Sequence, residues 1–203
     1  VFVKGDVSMN QKLSVGGDVS MNGITAGRGG GNISTKTAFG KDALTANITA
    51  TNNTAIGYRA LRNNTTGEDN TAIGYQTLDR NTTGEYNNAI GYNALYSNTT
   101  GHQNSAIGGS ALVNNTTGQN NTAIGRFAGQ SNTDGSNNTF IGRGTNINPT
   151  TASWSNSTAL GYQAKITKSD QIVLGKSTTP PEVYIPGNVG IGKTNPTKKL
   201  EVN

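Results

Sequence analysis

Apolar and polar positions alternate over short stretches of this chain, each stretch is cut by glycine, and the cut recurs at a fixed pitch. Phe39-Gly40, Ile56-Gly57, Ile73-Gly74, Ile90-Gly91, Ile107-Gly108, Ile124-Gly125 and Ile141-Gly142 stand 17 residues apart. A strict period of this size marks stacked copies of one small unit, too small to bury its own apolar face alone. One unit reads Asn53-Thr54-Ala55-Ile56-Gly57-Tyr58-Arg59-Ala60-Leu61, then Arg62-Asn63-Asn64-Thr65-Thr66-Gly67. Its first stretch alternates in polarity around a β-branched residue and predicts a strand over 53–61. The Asn-Thr-Thr-Gly string predicts a tight turn, with Gly67, Gly84, Gly101, Gly118 and Gly135 at positive φ. No window spaces its apolar residues as a helix does, and glycine interrupts every stretch. The expected fold is all-β: a parallel β-roll or β-solenoid of 17-residue coils, stacked at about 4.8 Å.

Stacking turns equivalent positions into columns. Ile56, Ile73, Ile90, Ile107, Ile124 and Ile141 form one, and Leu44, Leu61, Leu78, Leu95 and Leu112 another. Two alanine columns run through Ala43, Ala60, Ala94, Ala111 and Ala128, and through Ala55, Ala72, Ala89, Ala106 and Ala123. Asn64, Asn81, Asn98, Asn115 and Asn132 make a polar ladder whose amides can bond along the stack. So short a coil encloses few side chains, and small alanine suits a narrow lumen. Isoleucine and leucine together overfill it, so at least one apolar column should face outward. Such a stripe along a rod calls for cover, and rotationally symmetric self-association supplies it. A rotationally symmetric assembly whose single chains do not fold stably alone is therefore expected, although the pattern alone leaves open which column lies inside.

The array is flanked by less regular sequence. Three segments are expected: 1–38, 39–177 and 178–203. In the first, Val3-Lys4-Gly5-Asp6-Val7-Ser8-Met9-Asn10 returns as Val15-Gly16-Gly17-Asp18-Val19-Ser20-Met21-Asn22, short strands joined by turns, before a Gly27–Gly31 junction. After Gly142 the pitch breaks, since Leu160-Gly161 and Leu174-Gly175 follow at irregular intervals. Asn148 to Trp154 reads as a protruding loop or a cap. Thr178-Thr179-Pro180-Pro181 is a linker to three short strands, 183–185, 189–191 and 200–202. The chain opens at Val1-Phe2-Val3 in mid-pattern, as a piece of a longer protein would.

Composition sharpens this picture. Only 32% of the 203 residues are apolar and 13% charged, with 28 Gly, one Trp, one His and no Cys. Disulfides and thiol chemistry are excluded. No apolar run approaches a membrane span. The net charge of +5 is scattered. It reads first as solubility and second as attraction to an acidic glycan.

The unit Asn-Thr-Ala-Ile-Gly-Tyr, with Ala-Leu soon after, resembles the head repeats of YadA-like trimeric adhesins over about residues 39–175. The resemblance implies a left-handed parallel β-roll assembled as a homotrimer, although the pitch here is longer than that family's common unit. The flanks are similar to other fibres. The Gly-Asp-Val-Ser-Met-Asn repeats resemble surface fibre proteins of large algal viruses such as chloroviruses. Gly187-Asn188-Val189-Gly190-Ile191-Gly192, with Lys199-Leu200-Glu201-Val202-Asn203, resembles a C-terminal segment of phage tail fibres.

The repeat limits the candidate chemistry. Gly187-Asn188-Val189-Gly190-Ile191-Gly192-Lys193-Thr194 fits a phosphate-loop pattern, but a genuine one opens a helix, and Asn195-Pro196 forbids that here. Glu68 and Glu85 share a column, as a glycosidase pair would, but the column drifts to His102, Gln119 and Ser136 as a solvated turn does. His102 has no sequence partner for a metal site or triad. No catalytic residue, metal or cofactor is expected, nor binding of nucleic acid or insertion into a membrane. Sequons are abundant, among them Asn52, Asn64, Asn81, Asn98, Asn115, Asn120, Asn137 and Asn156, but Asn and Thr are also the unit's turn residues. Tyr58, Tyr75, Tyr92 and Tyr162 follow the motif glycine and either stack between coils or meet sugar rings.

The expected function is non-enzymatic: a trimeric fibre or adhesin segment on a virion surface, or alternatively a bacterial cell surface. It would attach to a host cell-surface or cell-wall glycan by many weak contacts. Ligand contacts are assigned to Glu68, Tyr86, His102 and Gln103 in the variable turns and to Trp154. A structural spacer and a polysaccharide depolymerase are the alternatives.

Overall fold

The structure is a computed structural model and describes residues 19–21, 24–27, 35–47, 49–148, 153–176, 189–191 and 200–202. The N-terminal repeat before residue 19, the 178–181 linker and the 183–185 strand expected from sequence lie outside the described residues. Strand β1 (Val19–Met21) pairs antiparallel with β2 (Ile24–Gly27), which pairs antiparallel with β3 (Thr37–Phe39). From β3 onward every neighbour is parallel. Strands β4 (Thr54–Ile56), β5 (Thr71–Ile73), β6 (Asn88–Ile90), β7 (Ser105–Ile107), β8 (Thr122–Ile124) and β9 (Thr139–Ile141) follow one per coil. Their register is that of the repeat, as Ile56↔Ile73↔Ile90 and Ala55↔Ala72↔Ala89 illustrate. The chain is a parallel β-solenoid.

The irregular end keeps the register despite its uneven spacing. Strand β11 (Thr158–Leu160) pairs with β9, and β13 (Ile172–Leu174) with β11. The turns after Gly142 and Gly161 carry β10 (Asn146–Ile147) and β12 (Lys165–Ile166), a second small parallel sheet whose Ile147 and Ile166 continue the core. Strands β14 (Val189–Ile191) and β15 (Leu200–Val202) pair with each other in parallel. Among the described residues there is no helix.

Each strand is shorter than the 53–61 stretch expected from polarity. It ends at the motif glycine, because Gly57 adopts φ +132 and both Arg59 and Leu61 are left-handed, at φ 57 and 50. Alternating polarity there belongs to a tightly turned loop, not to a longer strand. The positive-φ assignment also moves. Gly67 and its equivalents are not among the positive-φ residues; Asp69, Tyr86 and Gln103, two positions on, are. Gly67 is glycine for lack of space: an added Cβ would overlap the Gly84 carbonyl oxygen and lie 2.7 Å from Asn64 Oδ1.

The leucine column is bent against local preference. Leu44, Leu61, Leu78, Leu95 and Leu112 all sit at φ 49–52, a region that costs a bulky L-residue about 1–2 kcal/mol. Burial offsets that cost. Each of these leucines is 0% exposed, worth roughly 1.5–3 kcal/mol per side chain, and each amide is bonded to the next coil, as Leu61 N–H is to Thr77 O at 3.0 Å.

The lumen also holds two asparagine columns. Besides Asn64 and its equivalents, Asn53, Asn70, Asn87, Asn104, Asn121 and Asn138 are fully buried. Both Asn53 and Asn64 donate their Nδ2 to Gly67 O, each at 2.8 Å, and the pattern recurs on Gly84, Gly101, Gly118 and Gly135. Along the stack, Asn81 Nδ2 donates to Asn64 Oδ1 at 2.7 Å, and the Asn70 amide to Asn53 Oδ1 at 3.0 Å. Buried amides must be paired or they cost the fold. Here each coil satisfies the next, which rewards an unbroken register.

Candidate functional site

Strands β3 to β9 and β11 bury their middle residue and turn the outer two outward. Ala55 is buried while Thr54 is half-buried and Ile56 exposed, and the pattern repeats. The leucine column therefore fills the lumen and the isoleucine column faces out. Phe39, Ile56, Ile90, Ile107, Ile124, Ile141, Leu160 and Leu174 are 37–48% exposed in one line. Nine in-register strands, β3 to β9 with β11 and β13, carry this stripe over about 40 Å at the spacing of a sheet.

Turn residues flank the stripe on its N-terminal side. There the expected ligand residues come together in part. Glu85, Tyr86, His102, Gln103 and Gln119 line one shallow groove of about 310 Å³. Glu68 stands one rung away, its backbone carbonyl accepting from Tyr86 N–H at 3.1 Å, but it does not line the groove. The His102 ring is part of the ladder: its Nδ1 accepts the Glu85 amide at 3.1 Å. That bond assigns the proton of the neutral ring to Nε2, which leaves Nε2 as a donor. The groove thus offers an aromatic ring, a carboxylate, two amides and an imidazole, groups suited to hydroxyl-rich ligands.

Trp154 lies apart from this cluster. It is half-buried and packs against the core. Its carbonyl accepts Asn138 Nδ2 at 2.7 Å, taking the place that the turn glycines hold in earlier coils. Its Nε1 reaches Asn148 O at 3.4 Å. These contacts tie Trp154 into the turn of its coil.

On the C-terminal side of the stripe the tyrosines stack between coils. Tyr58 and Tyr75 ring centroids are 5.2 Å apart, and those of Tyr75 and Tyr92 are 5.3 Å apart. Arg59 lies over Tyr58, and Asp42 lies 3.7 Å from Arg59. Among the sequons, Asn64, Asn81, Asn98 and Asn115 are buried in the lumen, whereas Asn52, Asn120, Asn137 and Asn156 are exposed.

Lys36 and Asp79 are enclosed titratable groups. Asp79 occupies a buried position beside Arg62, with Nε–Oδ1 at 2.9 Å and Nη2 donating to Oδ2 at 3.2 Å. The shorter contact is an ion pair without hydrogen-bond alignment. Burial raises the Asp79 pKa above its ordinary 3.8, and the Arg62 charge opposes that rise only in part. Among the described residues no cluster of His, Asp and Glu is fit to hold a metal, and no helix is long and apolar enough to cross a membrane. No family model, curated protein or solved structure matches the chain. The inward and outward assignment of the two apolar columns, which the sequence left open, is the decisive feature of the geometry.

Proposed function

We propose that this chain is a non-enzymatic fibre segment of a virion or cell surface, assembled as a homotrimer, that attaches to a host cell-surface or cell-wall glycan. The outward isoleucine stripe carries the reading. Monomeric soluble proteins rarely expose a contiguous apolar patch of this length. A second copy of the same stripe is its natural cover, because both have the same rung spacing. Parallel rods around one axis bring the stripes together, and the resemblance of the repeat to trimeric adhesin heads supports three as their number. Repetition then multiplies weak contacts made by the Tyr86, His102 and Gln103 turns.

Light scattering tests the assembly. The expected mass is three times the 21.0 kDa of one chain. Ile107→Lys, which buries a charge in the covered stripe, is expected to dissociate it. A folded, soluble wild-type monomer would overturn the proposal. Glycan-array and host-cell binding test attachment, with Tyr86→Ala and His102→Ala expected to weaken it. A spacer without attachment is the second reading, favoured by the recurrence of the same lumen and turn residues from coil to coil between residues 54 and 141. A trimer that binds no glycan and no cell would select it.

A further inference from the structure

The column that follows the motif glycine reads Lys41, Tyr58, Tyr75, Tyr92, Gly109, Arg126, Arg143, Tyr162. Its aromatic stack stops at Tyr92, and one rung is empty before the arginines begin. Nothing in the backbone demands glycine at 109. Gly109 is not among the positive-φ residues, and an added Cβ would meet only Arg126 Cγ, at an ordinary 3.9 Å. Its neighbour Gly108 is the contrast: at φ +129, its Cβ would fall 2.7 Å from the Gly125 backbone. Tyr92 itself is 58% exposed, the most exposed of the ladder. One of its faces is covered by Tyr75, while the face toward Gly109 has no ring against it.

The far wall is cationic. Arg126 is exposed, with its guanidinium 4.5 Å above the Phe127 ring. Unlike Arg59 and Arg62, neither Arg126 nor Arg143 has a carboxylate partner among the described residues. The acids of these rungs, Glu85 and Asp134, sit on the turn across the strand. Two rung spacings separate the Tyr92 and Arg126 levels, about 10 Å, which is room for one ring in the place of the missing side chain.

We propose that this notch binds one anionic pyranose unit of an acidic polysaccharide. The apolar C–H face of the sugar lies on the negative face of Tyr92, and its carboxylate or sulfate is held by Arg126, with Arg143 one rung further on. The site rests on the attachment reading above and names the sugar class. It is separate from the groove at Tyr86 and His102, on the other side of the stripe.

Titration of the 203-residue protein with a galacturonate trisaccharide, its sulfated galactose counterpart and neutral galactotriose provides the test. At least one anionic sugar is expected to bind at least about tenfold tighter than the neutral one. Gly109→Tyr continues the existing stack, so it is expected to keep the melting temperature and lose at least about tenfold in affinity. Arg126→Gln, a surface change that leaves the fold alone, is expected to bring anionic sugars down to the neutral level. Which anion is preferred identifies carboxylate or sulfate. Affinity unchanged in Gly109→Tyr and Arg126→Gln, or no preference for charge in the wild type, overturns the notch. If host-cell binding persists in that case, attachment by the turns stands; if all glycan and cell binding is absent, the attachment reading fails as well.

Discussion

Phe140 and Gly129 exchange sizes across the lumen, and the exchange can be measured. In the strand column Ala55, Ala72, Ala89, Ala106 and Ala123 are followed by Phe140, fully buried. In the leucine column Leu112 is followed by Gly129. A Cβ on Gly129 would lie 2.7 Å from Phe140 Cδ2 and 2.9 Å from Leu112 Cδ2, so the phenyl ring occupies the space of the missing leucine. Backbone conformation is not the reason for glycine here, because Gly129 at φ +61 differs little from leucines at φ 49–52. Phe140→Ala alone should cost about 3–5 kcal/mol, the range for emptying a phenyl site. For a chain of this size that lowers the melting temperature by on the order of 10 °C. Gly129→Leu alone overpacks the lumen at about 1–3 kcal/mol. The double variant recreates the pairing of the earlier coils and should recover most of both losses. The single-variant costs should therefore couple strongly instead of adding. Thermal and urea unfolding followed by circular dichroism, at one fixed protein concentration because association contributes to stability, measures all four proteins. If the double variant is no more stable than Phe140→Ala, the two residues do not share one space and the account of the lumen is wrong.

Further outcomes follow from the same stack. Gly84→Ala should destabilise severely although its φ is ordinary, because the methyl would overlap both Asn81 Oδ1 and the Gly101 carbonyl; an unchanged urea midpoint would refute the close-approach argument. Asn98→Leu removes the Nδ2 donor to Asn81 Oδ1 and Gly101 O and the Oδ1 acceptor of Asn115. Its cost should be about 1–3 kcal/mol for each group left unpaired, read from urea unfolding. Asp79 predicts a pH dependence. Its folded pKa is raised above 3.8, so its contribution is fully present below that pH and is lost as pH rises through the folded value. The melting temperature of Asp79→Asn should therefore gain on the wild type as pH rises above about 4 and level off once the folded carboxyl ionises. A difference that shrinks with rising pH would contradict the sign.

The sequence by itself determined the architecture. A cadence that repeats Ile-Gly and Asn-Thr-Thr-Gly leaves a coil only one way to satisfy its backbone, by bonding to the coils above and below, and the register follows from the period. It also placed the Asn64 ladder and the outward turn of at least one apolar column. The three-dimensional stack decided what periodicity cannot carry, namely direction. Isoleucine and leucine columns look alike in a one-dimensional pattern. Only the left-handed turn at Leu61 and the pleat at Thr54–Ile56 send leucine in and isoleucine out. The second asparagine ladder was hidden for the same reason, since Asn53 shares the face of Ala55 and its direction follows only once that face is known to be the inner one. The same holds for Gly67, where a carbonyl one coil away, invisible to local turn chemistry, excludes a side chain. Close contacts between residues seventeen apart made these choices, and a sequence states that such residues are equivalent without stating how near they lie.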